Sequence, residues 1–508
     1  MVRLEYVPVF QWPALGWLAR CRSASDSVTV FHGPRVETTP EWFCEAVWAG
    51  SYESGGFDET DLVAGSGGRS RHGRLTFVSA GSTVDRLQSL ETDGCAWVSN
   101  SLACLLTAVG GEVNRSSGQY FWLFRTIAGG VKRYRRFLPT TAGPVRFTYF
   151  DNLSWDGRSL TVQPKPYPRR DFSTFGKYAR FLELSMREIS QNAAASQRDH
   201  PFHLLSTASS GYDSSTVTVL AKRAGLNRVL CFDQTSRGID DSGEPLARHL
   251  NLTPVTVQRS AWSTGASTLP EPPFIASDSH GGDVFFKGAE SNLRGKVLLT
   301  GYHGDKMWGK YTKQLDEHIV RGDQSGLSLS EYRLTAGMLH CPVAFWGVRQ
   351  IADVNAISNS PEMAPWDVPG DYSRPICRRI VEAEGVPRES FAMHKRASWV
   401  MLHTHKDFLS RDSMRDYLEW LADHRSEFIR HGRVPPSLNR KLDRLEISMR
   451  RALARAAHGE HSHLLAQAMK ATGLVRLADR LAEGPTYLRR FVFAWALDRH
   501  KTLYPKPF

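Results

Sequence analysis

One short unit constrains this chain more than any other: Leu204–Leu220, which reads LLSTASSGYDSSTVTVL. An apolar pair, Leu204-Leu205, enters a cluster of small hydroxyl residues around one glycine. The chain leaves through Ser214–Leu220 into Ala221-Lys222-Arg223-Ala224-Gly225. A basic last turn followed by glycine predicts a helix that stops at Gly225. The unit is therefore read as strand, tight loop and helix N-terminus. Small residues let the backbone come close to a ligand, and the free N–H groups of a helix start favour an anion. Ser209, Ser210, Ser214 and Ser215 add hydroxyl donors, and Asp213 adds a carboxylate suited to a metal that bridges phosphates. No lysine follows the glycine, so this is not a GxxxxGK[ST] loop. The bland reading is a serine-rich surface turn.

A second unit of the same kind follows. Lys296–Leu299 predicts a strand that opens into Thr300-Gly301-Tyr302-His303-Gly304-Asp305-Lys306-Met307-Trp308-Gly309-Lys310-Tyr311, again a glycine-hinged loop and a helix start with one carboxylate. Between the two units, Arg228–Phe232 and Val255–Val257 read as strands and Pro245–Leu250 as a helix, with Asp240 and Asp241 before it as N-terminal caps. Strands separated by helices predict a parallel sheet whose ligands sit at the strands' carboxyl ends.

At 508 residues the chain exceeds one ordinary core, so two or more domains are expected. An apolar share of 41% and a charged share of 23% are those of an ordinary globular protein. No apolar run is long enough to span a bilayer, and Glu5, Pro8, Gln11 and Pro13 interrupt the start, which argues against a secretory signal. The seven cysteines are scattered, odd in number and without a CxxC pair, which argues against a disulfide framework or a structural zinc and fits a reducing cytoplasm. The formal charge of +12 suits an anionic partner or a basic surface.

Residues 1–170 are rich in Gly, Thr, Val and aromatics, with short segments such as Arg74–Val78 and Val145–Phe150, and predict a mainly β domain. Phe175, Tyr178, Leu182, Met186 and Ile189 form one helical stripe, which sets a boundary near Pro168–Phe172 and opens a domain over 171–400. Residues 401–508 read as amphipathic helices that extend it.

Several of these segments carry a family likeness. Ser209–Ser215 resembles the SGGxDSS pyrophosphate loop of the N-type ATP pyrophosphatases, in their asparagine synthetase branch, with Ser210 in place of the first glycine. Thr300–Tyr311 resembles the SGEGxDExFGGY segment of the same family. Gly301, Asp305, Gly309 and Tyr311 match, whereas Tyr302 replaces a glutamate, His303 a glycine and Lys306 the second acid. Val386–Trp399 looks like the LPxxVxxRxKxxF region, with Lys395 at the lysine position and Arg396 beside it. Pro342–Trp346 is loosely similar to RVPFLD, without the glutamate usual upstream, for which Glu331 is the nearest deputy. Asp93–Leu106 is similar to a segment late in the family's glutaminase domain.

The resemblance implies an α/β synthetase domain of the adenine nucleotide α-hydrolase type after a mainly β, Ntn-hydrolase-like domain. It implies ATP held by Ser209, Ser210, Gly211, Asp213, Ser214, Ser215, Gly301 and Gly304, with Mg²⁺ on Asp213 and Asp305. Lys395 then stabilises the acyl-adenylate transition state, and Tyr302 acts near the nucleophile, as a tyrosine does in the family's β-lactam and carbapenam synthetases. Val2 stands where the glutaminases carry their nucleophilic cysteine, so glutamine hydrolysis at that position is excluded. The expectation is an AMP-forming ligase joining a small-molecule or peptide carboxylate to ammonia or an amine, in the cytoplasm, with no membrane and no nucleic acid as partner. Intramolecular cyclisation (β-lactam or lasso-peptide), a tRNA-modifying or RNA-binding role, and a catalytically inactive relic stay open, as do a peptide-handling partner and a homodimer.

Overall fold

A computed structural model describes residues 2–23, 25–235, 238–263, 269–393, 402, 407–460 and 463–507. It is a mixed α/β structure: a mainly β N-terminal region, a parallel sheet flanked by helices, and a helical C-terminus. Among the described residues the N-terminal strands form a seven-stranded and a six-stranded sheet, nearly all antiparallel. Arg74–Val78 is a strand as the alternation predicts, Gly143–Thr148 covers most of the second expected strand, and Cys95–Ser99 leads into the helix Leu102–Val109. The β region ends at Gln163, and the helix Phe175–Ala193 begins after it. Its stripe is buried as its spacing requires: Tyr178, Leu182, Met186 and Ile189 face the core, and Thr174 caps the first turn.

The parallel sheet contains β1 (His203–Ala208), β2 (Arg228–Phe232), β3 (Thr253–Val257), β4 (Lys296–Thr300) and β5 (Leu339–Pro342). The order across it is β3-β2-β1-β4-β5, every neighbour parallel. The order reverses between β1 and β4, and at such a switch point the loops after the two strands diverge and leave a crevice at the carboxyl ends. The two glycine-bearing units of the sequence are the ones that follow β1 and β4. β5 escaped the sequence reading because its four residues are all buried and show no alternation.

One apolar cluster runs through all three regions. It joins Leu105 and Phe147 of the N-terminal part, Phe274 and Tyr332 of the middle, and Trp495 near the C-terminus. The C-terminal helix Val492–Lys501 lies against the helices Pro272–Asp278 and Leu102–Val109. No helix among the described residues is long and apolar enough to cross a membrane.

Candidate functional site

The β1 loop ends in a helix, Tyr212–Arg223, whose start is set by Gly211 in an extended conformation. Ser209 Oγ and Ser214 Oγ share a hydrogen bond of 2.7 Å across the loop, and Gly211 N–H donates to Ser209 Oγ (3.2 Å). Ser215 is buried and donates to the carbonyls of Gly211 (2.7 Å) and Ser209 (3.2 Å), so its hydroxyl faces its own helix. Ser210 donates to Asp241 (2.5 Å). Asp241 is thus not the helix cap its position suggested: Asp240 accepts from Ser242 N–H (3.0 Å), and the carboxylate of Asp241 turns to the cavity.

The β4 loop presses its glycines directly against Asp213 of this one. A Cβ at Gly301 would stand 2.5 Å from Asp213 Cβ, and one at Gly304 would stand 2.5 Å from Asp213 Cγ. Both glycines are therefore required by close approach rather than by backbone conformation. Asp305, in the first turn of the helix Gly304–Met307, meets a third segment: a Cβ at Gly322 would be 2.7 Å from Asp305 Oδ2.

The three segments enclose a cavity of about 300 Å³, at the small end of the range for small-molecule sites. Ser209, Gly211, Asp213, Ser214, Gly301, Tyr302 and Asp305 line it. Of the other expected residues, Gly304 lies behind Asp213, while Ser210 and Ser215 are engaged as described. Lys395, with Arg396, lies outside the described residues. The described residues stop at Met393, two positions before it, and there Ala392 N–H donates to Ser210 O (2.6 Å).

The electrostatics are dominated by acids. Burial raises the carboxyl pKa of Asp213, Asp305 and Asp323 add to the rise, and the guanidinium of Arg374 opposes it. Arg374 is buried, pairs directly with Asp213, and lines the same cavity. Nothing local in the sequence marks it, because it enters from a loop 161 positions downstream. Among the described residues no three His, Cys, Asp or Glu side chains gather as a group that could hold a metal ion. The donor set nevertheless fits an ion that arrives on phosphate, since Mg²⁺ in nucleotide sites takes one or two carboxylates and completes its shell with phosphate and water.

Tyr302 has a partner that sequence reasoning missed. Its hydroxyl donates to Asp283 Oδ1 (2.9 Å), while Asp283 Oδ2 accepts from Ser328 Oγ (2.7 Å) and Gly326 N–H (2.9 Å). Asp283 is fully buried, and burial lifts its pKa to about 6 despite those donors. Burial and Asp283 together push Tyr302 well above the usual tyrosine range. Glu331, the expected deputy for the missing glutamate, is elsewhere: it accepts from Ser101 Oγ and Leu102 N–H (both 2.7 Å) at the junction with the N-terminal region. It sits on the helix Leu329–Ala336, whose facing the sequence could not show.

His303 also lines the cavity, 5% exposed and stacked on Phe345 at 4.6 Å, with neither ring nitrogen hydrogen-bonded. Its backbone is left-handed (φ +77°), a conformation that favours glycine. Burial lowers its pKa to about 3, so the ring is neutral and offers one donor and one acceptor. At the far wall Phe285 lies under Arg259 (3.9 Å) and edge-on to Phe232 (4.9 Å).

No family model matches the chain, and no curated protein matches it.

Proposed function

We propose that the protein is an ATP-dependent, AMP-forming amide ligase of the asparagine synthetase type. The N-terminal region is, on this reading, a glutaminase-like domain without its nucleophile. The observation that carries the reading is the meeting of two glycine-bearing loops at the switch point of a parallel sheet, each bringing an aspartate to one cavity.

The loop 209–215 receives the β,γ-phosphates on the backbone N–H groups of the helix start and on the hydroxyls of Ser209 and Ser214. Asp213 and Asp305 would hold Mg²⁺, which would supply positive charge to offset that of the phosphates. Arg374 exchanges its ion pair with Asp213 for a phosphate oxygen, since a guanidinium pairs as well with either. A substrate carboxylate oxygen attacks the α-phosphorus, the bond to the β-phosphate oxygen breaks, and pyrophosphate leaves. Lys395, carried on the chain beyond Ala392, stabilises the charge that migrates in this step.

An amine nitrogen then attacks the acyl carbon, and AMP leaves with the bonding pair of the C–O bond. The amine proton passes to Tyr302 Oη as Tyr302 hands its own to Asp283. A tyrosine of raised pKa is a poor base alone, and an ionised carboxylate at 2.9 Å makes the relay feasible. His303 supplies a neutral donor or acceptor to the acyl substrate.

One observation favours an amine on the substrate over ammonia made in the N-terminal region. Cys21 lies within the strand Trp17–Arg22, paired on both sides and fully buried, and burial holds its thiol well above the usual range. It cannot serve as the missing nucleophile. The test is ³¹P NMR of turnover mixtures with ATP, Mg²⁺, a carboxylate panel and ammonia or amines. AMP and pyrophosphate in step with amide support the reading; ADP and phosphate overturn it.

A further inference from the structure

A second cleft lies away from the cavity and shares no residue with it. It has a volume of about 620 Å³ and is open along one side. Its floor is Arg450, on the helix Arg440–Ala457, which donates to the carbonyls of Leu481 (3.1 Å), Gly484 (3.2 Å) and Pro485 (3.2 Å). Around that floor stand Arg433, Arg480 and Arg490, from three separate elements. Arginines elsewhere in this region have acids: Arg125 pairs with Glu483 (2.8 Å) and Arg489 with Asp443 (2.8 Å). Among the described residues no carboxylate forms an ion pair with Arg433, Arg480 or Arg490.

Two of the three are held in place by aromatic faces instead. Arg480 lies over Trp122 at 5.5 Å and Arg490 over Tyr487 at 5.5 Å. A guanidinium stacked on a ring keeps its N–H edge free and loses little further freedom when it pairs with a planar anion. Apolar side chains alternate with these cations. Leu477 and Leu481 share one face of the helix Leu474–Glu483 and form a wall of the cleft, and Leu474, 45% exposed on the same face, carries that wall outward. Val434, 76% exposed, stands opposite on the Arg433 segment.

We infer that this cleft binds an acidic peptide segment with interspersed apolar side chains. Charge complementarity selects the occupant: three unpaired guanidinium groups on a chain of formal charge +12 call for carboxylates, and the leucine wall calls for apolar contacts between them. Single-stranded nucleic acid is the weaker match. Arg480 and Arg125 cover Trp122, at 5.5 and 5.6 Å, so the indole is occupied where base stacking needs an open ring. The inference does not rest on the reading of the cavity.

The test is fluorescence anisotropy on the full-length protein. The probe is a labelled twelve-residue peptide of alternating Glu and Leu, measured beside three others: Lys for Glu, Ser for Leu, and a twelve-nucleotide oligomer. The expected result is salt-sensitive binding of the Glu–Leu peptide, weakened at least tenfold by each control substitution. Arg480→Glu and Arg490→Glu are expected to weaken it about tenfold each, and the double variant to regain affinity for the Lys–Leu peptide, which shows that the variants are folded. Equal binding of the Ser-containing peptide, tighter binding of the oligonucleotide, or no binding of any probe overturns the inference.

Discussion

Asp283 and Tyr302 make a hydrogen-bonded pair whose two members hold opposite protonation states near neutrality. The carboxylate, at a pKa of about 6, is mostly ionised near neutrality, while the phenol keeps its proton. Because the proposed relay needs the ionised carboxylate, amide formation should rise with pH through a midpoint near 6 and then level off. Asp283→Asn should remove that limb and lower amide formation by about 10²–10⁴-fold. It should leave ATP–pyrophosphate exchange within a few fold, because adenylation precedes the proton transfer in the proposed sequence of steps. Loss of both activities together would place Asp283 in the fold rather than in the chemistry. Gly301→Ala should act the other way, abolishing exchange, since its Cβ would stand 2.5 Å from Asp213 and force the two loops apart. The overpacking should lower stability by about 1–3 kcal/mol, measurable by urea denaturation. That Asp213, Asp305 and Tyr302 line one cavity was legible in the sequence, because each sits in a loop with glycines at fixed offsets. Asp283 and Arg374 were not. Their roles depend on partners 19 and 161 positions away, and nothing local marks the contact.

At the scale of elements, the sheet could be read strand by strand wherever an apolar run ended in glycine and small residues, as at Leu204–Gly211 and Val297–Gly304. The buried Leu339–Pro342 strand lacked both cues. The connection that leads from the last N-terminal strand into the helix Phe175–Ala193 carries a lysine the sequence could not flag. Lys165 is buried and donates to Ser79 O and Asn152 Oδ1, both at 2.8 Å. Burial lowers its pKa from the usual 10.5 to about 7. Between those values the unfolded chain binds a proton that the folded chain has lost, so stability should rise with pH across that window, by at most ~1.4 kcal/mol per pH unit. Below pH 7 both states are protonated and this contribution to the slope vanishes. Lys165→Met should flatten the rise in denaturation profiles taken from pH 7 to 10; an unchanged profile would show that the lysine keeps its charge when folded.

The regions of the whole molecule are joined by buried charges as well as by apolar surface. Arg333, on the helix Leu329–Ala336, is fully buried and donates to both oxygens of Glu45 (2.5 and 3.0 Å), with Asp85 at 3.0 Å. Glu331, one turn-side away, receives Ser101 and Leu102 and lies 3.3 Å from His500 near the C-terminus. Such joints cannot be seen in sequence, where Glu45, Arg333 and His500 are isolated polar residues in ordinary company. Arg333→Ala leaves two acids buried without their cation and should cost about 3–5 kcal/mol in chemical denaturation. A cost under about 1 kcal/mol would mean the joint admits water. What this framework fixes is the convergence of the loops after β1 and β4, on which the proposed adenylation rests. The direct measurement is exchange of labelled pyrophosphate into ATP, with Mg²⁺, across a panel of carboxylates. Adenylation at this cavity predicts exchange that depends on one class of carboxylate and disappears in Asp213→Asn; a protein that binds ATP and Mg²⁺ yet gives no exchange with any carboxylate contradicts it.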